Sequence, residues 1–158
     1  MIDCIKNLDD PKIRSLRLWL YRKLGMSAGK NIKISSGVTI DEPHNLILGN
    51  DVSIQHNCYL SAYGKLVIGN DVSIGHSTSI VTSTHQYVDK ELPIRNQPLE
   101  AAMVCIEDNV WIGMKCSILY GVTVESGAII GANSLVNKNV LSDTIIAGIP
   151  AKFIKNRL

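Results

Sequence analysis

Four histidines, His44, His56, His76 and His85, are the side chains of this sequence best suited to proton transfer near neutral pH. An imidazole with a pKa of ~6.5 can take the proton of a hydroxyl as its oxygen attacks a carbonyl, which is the chemistry of a general base. His56 and His76 stand twenty residues apart in the matching runs LGNDVSIQHNCY and IGNDVSIGHSTS. A repeating fold stacks them, and two stacked imidazoles could begin a zinc site. His44 lies at an inward position of the repeat beside Pro43 and reads as a corner residue. His85 stands where the repeat breaks. Cys4, Cys58, Cys105 and Cys116 form no CxxC pair and no zinc spacing, so they read as reduced thiols, with Cys58 and Cys116 in the core. No nucleophile–base constellation is recognisable.

The repeat that positions these residues has six members. Aliphatic residues recur at Ile34 and Ile40, at Leu48, Ile54 and Leu60, and at Ile68, Ile74 and Ile80. The series resumes at Ile106, Ile112, Ile118, Val124, Ile130 and Val136. A small or β-branched residue usually follows four places later, from Val38 and Val52 through Thr78 and Thr84 to Ser134 and Val140. Six is no helical period, because 3.6 residues per turn would spread the aliphatics over every face. Short strands joined by turns put one large and one small residue inward per hexad. Gly49, Gly69, Gly75, Gly113 and Gly131 follow aliphatics where tight corners need permissive backbone angles. Three hexads make one triangular coil, and the spacing predicts an all-β parallel β-helix of about five coils from Ala28 to Leu141. One large aliphatic per side fills so narrow a prism, in keeping with an aromatic content of only 5%.

The expected layout is an N-terminal helical segment over 1–27, the repeat over 28–141 and a C-terminal cap over 142–158. Residues 11–24 read as a helix with Asp10 as N-cap, Pro11 at its first position and Gly25 as its stop. Ile13, Leu16, Leu20 and Leu24 form its apolar face, and Lys12, Arg14, Arg17, Arg22 and Lys23 are its basic residues. The helix either caps the first coil with its charges solvated or touches an anionic membrane surface. Residues 86–105 leave the coil and return, and a loop that long in a small domain is expected to be functional. Residues 1–25 hold six Lys or Arg against three Asp, and charge confined to one segment argues against nucleic-acid binding. No apolar run reaches the ~20 residues of a membrane span and none reads as a signal peptide, so a cytoplasmic protein is expected.

The hexads, Trp111-Ile112-Gly113, Gly121-Val122-Thr123-Val124, the run from Gly131 to Lys138 and Ala147-Gly148-Ile149-Pro150-Ala151-Lys152 resemble the hexapeptide-repeat acyltransferases. Closest in pattern are the galactoside/maltose and polysaccharide O-acetyltransferases. The resemblance implies a left-handed coil, a homotrimer with active sites between subunits, acetyl-CoA as acyl donor without a metal, and a carbohydrate acceptor. It implies His85 as the catalytic base, with Asp89, Glu91 or a main-chain carbonyl orienting its ring. Trp111, Gly113, Met114, Gly131, Ala132, Asn137, Lys138, Lys152 and Lys155 would bind CoA. Ser61, Tyr87, Arg95 and Gln97 would face the acceptor. Met114 and Asn137-Lys138 depart from the small residue and the Thr-Lys common in relatives. The expected function is O-acetylation of a sugar hydroxyl in cell-surface polysaccharide or lipopolysaccharide assembly. The alternatives are N-acetylation of an amino sugar, acetylation of an antibiotic, and a non-catalytic scaffold. The γ-class carbonic anhydrases place three zinc histidines on the same scaffold, but Val81 stands where the third would fall.

Overall fold

The computed structural model describes residue 5 and residues 7–158; Cys4 lies outside them. Helix α1 (Pro11–Lys23) precedes the coils. The first coil is β1 (Ser27–Ala28), β2 (Lys33–Ile34) and β3 (Thr39–Asp41), and the second is β4 (Leu46–Leu48), β5 (Ser53–Ile54) and β6 (Tyr59–Ser61). The third is β7 (Leu66–Ile68), β8 (Ser73–Ile74) and β9 (Ser79–Val81). A hairpin, β10 (Ser83–His85) and β11 (Leu99–Ala101), then leaves the prism. The fourth coil is β12 (Val104–Ile106), β13 (Trp111–Ile112) and β14 (Ser117–Ile118), and the fifth is β15 (Thr123–Val124), β16 (Ile129–Ile130) and β17 (Leu135–Val136). The last elements are β18 (Thr144–Gly148) and β19 (Ala151–Asn156).

Three parallel sheets follow. Face A carries β1, β4, β7, β12 and β15, and face C carries β3, β6, β9, β14 and β17. Face B carries β2, β5, β8, β13, β16 and β18, with β19 antiparallel at its end. The aliphatics of the hexads register with one another: Ile34, Ile54, Ile74, Ile112, Ile130 and Ile146 form one ladder inside face B. All are buried, as are the small inward partners Val38, Val52, Cys58, Val72, Cys116 and Ala128. Thr78 pays no penalty for its hydroxyl there, because Oγ1 donates to Gly113 O at 3.0 Å.

Four sequence expectations are corrected. The coil makes about six turns rather than five, because Val140 bridges Val124 in parallel and β18 extends face B. Thr84 pairs in the hairpin instead of entering the core. His44 is exposed, in a short 3₁₀ turn over Pro43–Asn45, and its Nδ1 lies 3.6 Å from Glu42 Oε2. The repeating glycines do not supply left-handed corners; Asp51, Asp71, Asn109 and Asn133 do that, with φ near +57°. Glycine is needed instead because successive backbones nearly touch: a Cβ on Gly113 would stand 2.6 Å from Ala132 N.

Helix α1 starts as expected. The Asp10 carboxylate accepts from Lys12 N–H at 2.8 Å, and Gly25 adopts φ +97°. Its packing face differs, because Arg17, Leu20 and Tyr21 are buried while Leu16 and Leu24 are exposed. Arg17 is 0% exposed. Nη1 donates to Ile34 O at 2.7 Å and Nη2 to Leu8 O at 2.7 Å and Ile5 O at 3.0 Å. β2 is the edge strand of face B, and an edge carbonyl under a helix needs a donor. Burial lowers the guanidinium pKa from its ordinary value, an effect opposed by Tyr21 and Asp9. The charge sits at the centre of the cap rather than in solvent. Arg17→Met is therefore expected to cost about 2–3 kcal/mol in urea unfolding by stranding buried carbonyls, whereas Lys12→Met leaves the midpoint unchanged.

Candidate active site

The insertion leaves the edge between faces C and A, and Thr82 fixes its departure. Thr82 is buried; Oγ1 donates to Ser61 O at 2.8 Å and accepts from Gly64 N–H at 2.7 Å. Its carbonyl accepts from Ala102 N–H at 3.0 Å, so exit and return meet at one point. Gly64 lies beneath, where a Cβ would come within 2.5 Å of Thr82 O. From this anchor β10 pairs with β11 in the register Ser83 to Ala101, Thr84 to Glu100 and His85 to Leu99. Gln86 N–H adds a bond to Pro98 O at 3.0 Å. His85 is exposed at the end of this short ribbon. A backbone paired on one side holds the imidazole more firmly than a free loop would.

Beyond the ribbon the loop folds around Gln97. Its side-chain amide donates to Asp89 O at 2.7 Å and Leu92 O at 3.0 Å, and its oxygen accepts from Asp89 N–H at 3.2 Å. Gln97 is buried and braces the loop, which differs from the acceptor contact expected of it. Asp89 Oδ1 accepts from Glu91 N–H at 2.9 Å. Tyr87 and Arg95 project outward, with Tyr87 70% exposed.

On the first and second coils, before the exit, face C presents a polar column. Asp41 registers with Ser61 and Ser61 with Val81, whose chain runs on through Thr82 to His85. Tyr59 Oη donates to Asp41 Oδ2 at 2.5 Å, and the carboxylate holds the phenol pKa above its ordinary value. Ser61 therefore has two polar neighbours that the hexad pattern alone did not single out. The signal was the twenty-residue period, which places Asp41, Ser61 and Val81 in one line. Thr82 was missed because buried threonines look alike in a repeat until a loop hangs from one.

The residues expected to hold CoA lie mostly elsewhere. Trp111, 57% exposed on face B, lines a cleft of about 390 Å³ with Asp71, Ser73, Asn109, Ile129 and Arg157. Gly113 is buried at the following corner, with Met114, Gly131 and Ala132 beside it on the fourth and fifth coils. Lys152 and Lys155 are exposed on β19, which extends the same face. Asn137 and Lys138 sit on the edge that carries His85, two coils further along. They line a second cleft of about 210 Å³ with Leu141, Thr144, Ile146 and Phe153. One chain thus places His85, Ser61, Tyr87 and Arg95 on one edge and the Trp111 group on another face.

The remaining candidates have other partners. His56 Nδ1 lies 2.8 Å from Ser36 Oγ and Nε2 lies 3.9 Å from Asp9 Oδ2. Among the described residues no group of three or more His, Cys, Asp or Glu is arranged to hold a metal. Burial pushes the thiols of Cys58, Cys116 and Cys105 up, which disfavours the thiolate an acyl-enzyme needs. Thr82→Val is expected to lower kcat about tenfold with the Michaelis constant for the acyl donor unchanged, and Thr82→Ser to restore it. Circular dichroism and an unfolding midpoint matching the parent separate a change in the ribbon's geometry from plain loss of folded protein.

The family model for the bacterial transferase hexapeptide (six repeats) matches residues 106–138. SAR2635 of Staphylococcus aureus (strain MRSA252), named as an acetyltransferase, is 34% identical over 94% of this chain and 74% of its own length. WcaF of Escherichia coli (strain K12), named for acetyl transfer in colanic acid biosynthesis, is 28% identical over 90% of this chain and 75% of its own. The structure of a galactoside acetyltransferase in complex with coenzyme A superposes with TM-score 0.86 at 26% identity, over 95% of this chain and 74% of that one. With the coil, the anchored insertion and these likenesses together, the chain belongs to the hexapeptide-repeat acetyltransferases.

Proposed function

We propose that this acyltransferase moves the acetyl group of acetyl-CoA to a sugar hydroxyl during assembly of a cell-surface polysaccharide, with His85 as general base. The observation that carries the reading is the ribbon β10–β11, which hangs from Thr82 and presents an exposed imidazole four residues beyond Val81, the residue in register with Ser61 of the column Asp41, Tyr59 and Ser61. A carboxylate, a phenol and a serine hydroxyl suit the many hydroxyls of a sugar. His85 takes the hydroxyl proton as the sugar oxygen bonds to the acetyl carbon, and returns it to the sulfur as the carbon–sulfur bond breaks. Direct transfer is favoured because the described thiols are buried or held above their ordinary pKa. The galactoside acetyltransferase likeness supports the CoA donor and a sugar acceptor, and WcaF supports the polysaccharide setting. Lys138, Lys152 and Lys155 are exposed cations suited to the CoA phosphates, and Trp111 offers a flat wall for the pantetheine arm.

The same reading requires more than one copy. His85 and the Trp111 group occupy different sides of the prism, so a complete site forms where one chain's ribbon meets its neighbour's face B. Tyr87, Val88, Leu92 and Ile94 on the loop are exposed apolar side chains that such a contact would cover. Three copies around an axis complete three equal sites. We place the reaction in the cytoplasm, where acetyl-CoA is supplied. The test is thiol release from acetyl-CoA against a panel of sugars, amino sugars and nucleotide sugars. Release dependent on a sugar hydroxyl supports the reading. Release with amino sugars alone assigns N-acetylation, and CoA binding without release for any acceptor contradicts transfer.

A further inference from the structure

The outer face of α1 combines apolar and basic side chains. Lys12, Leu16, Trp19 and Lys23 follow at steps of four, three and four, the spacing that lines side chains along one side of a helix. The opposite side, with Arg17, Leu20 and Tyr21, is buried against the first coil. Trp19 is 51% exposed and Leu16 is exposed beside it. Lys23 Nζ lies 5.7 Å from the Trp19 ring centroid, within cation–π range. Among the described residues no acid pairs with Lys12, Lys23, Lys30 or Lys33. Residues 1–40 hold eight Lys or Arg against three Asp, residues 41–151 hold five against eleven, and residues 152–158 hold three with no acid. One end of the prism is therefore positive, and its body is negative.

We propose that this end docks on an anionic lipid bilayer, with α1 lying in the plane of the headgroups. An indole and a leucine flanked by lysines match that boundary: the apolar groups enter the headgroup layer while the ammonium groups stay among the phosphates. Thirteen residues make a helix of about 20 Å, so α1 rests on the surface and does not cross it. The acidic body is repelled by the same surface, and Trp19 beside Lys23 marks the helix end as the one that inserts. A helix ~10 Å across plus two coil steps of ~4.8 Å sets His85 roughly 20 Å from the headgroups. Docking is independent of the acetyl-transfer reading, and each can fail without the other.

The test uses the full chain with Trp111→Phe, which leaves Trp19 as its single tryptophan. It is mixed with vesicles of phosphatidylcholine alone or with phosphatidylglycerol added, the lipids carrying brominated acyl chains. Co-sedimentation and quenching of Trp19 are expected only with phosphatidylglycerol, and both decline as salt is raised. Lys12→Gln with Lys23→Gln is expected to lower partitioning about thirtyfold. Leu16→Ser with Trp19→Ser is expected to lower co-sedimentation about tenfold. The circular dichroism of each variant should match the parent. Three results would overturn the proposal: no binding to phosphatidylglycerol at low salt, binding indifferent to the lysine changes, or a Trp19 blue shift that grows with protein concentration without lipid. The last assigns this face to a second copy.

Discussion

Replacing His85 with alanine is expected to lower kcat for acceptor acetylation by about 10²–10⁴-fold, the ordinary contribution of a positioned general base. Affinity for CoA should stay within about twofold, because the imidazole acts at the reacting thioester, whereas the groups proposed to hold the rest of CoA are Trp111 and the exposed lysines. The fold should tolerate the change: the imidazole is exposed, and β10 keeps its backbone pairing with β11 whatever the side chain. Steady-state kinetics together with calorimetric titration of CoA checks both halves. A loss of rate accompanied by loss of CoA binding would instead mean that the loop had collapsed.

The largest effect on stability is expected from the centre of the isoleucine ladder. Ile112 is fully buried, registers with Ile74 and Ile130, and occupies the fourth coil, directly after the insertion. Ile112→Ala removes three carbons from a prism whose walls are hydrogen-bonded backbone and cannot close on the gap. A cost of about 3–5 kcal/mol is expected, the upper part of the range for such truncations. Urea unfolding followed by far-ultraviolet circular dichroism measures it. Ile129→Ala, next to Ile130 in the chain but half-buried and facing outward, serves as the comparison and should cost less than half as much. Equal costs would mean that inward and outward positions are not distinguished by burial.

The ladder was legible because a six-residue period leaves few ways to bury one aliphatic per step. From Ile34 to Val136 every aliphatic of the series falls on a registered inward position. The end of the coil was less legible, because Val140 and Ile146 continue it through Leu141-Ser142-Asp143, where the spacing drifts. The corner residues were misread for a physical reason: glycine is the usual residue for positive φ, and Gly37, Gly121 and Gly127 do take it, but in the hexads with Gly49, Gly69 and Gly113 the left-handed angle falls on Asp51, Asp71 and Lys115. Glycine goes where the next coil's backbone leaves no room for a Cβ. The helix face was misread because an arginine counted as solvated; only the geometry shows that edge carbonyls of the first coil need a buried donor.

At the site, the break in period located the insertion and His85 without any contact information. The steps from Ile40 to Leu48 and from Leu60 to Ile68 are eight residues rather than six, and the added residues of these first two coils also fall on the edge between faces C and A, where the insertion leaves. What could not be read was which side chains the coil stacks beside that corner. Tyr59 and Asp41 meet because their strands are neighbours in register, eighteen residues apart in sequence. Nothing in the sequence separates Gln97 from Tyr87 and Arg95 as an acceptor contact, yet its amide is spent on the loop's own backbone.

One experiment bears most directly on the account. Acetyl-CoA and the best sugar from the acceptor panel are mixed with excess enzyme in a single turnover, and thiol and acetylated sugar are followed together by mass spectrometry. One acetyl ester is predicted to form on a sugar oxygen for each thiol released, with no acetylated protein in between, and His85→Ala should slow both by two to four decades. Equal single-turnover rates in the two proteins, or an acetyl group that passes through a protein side chain, would contradict it.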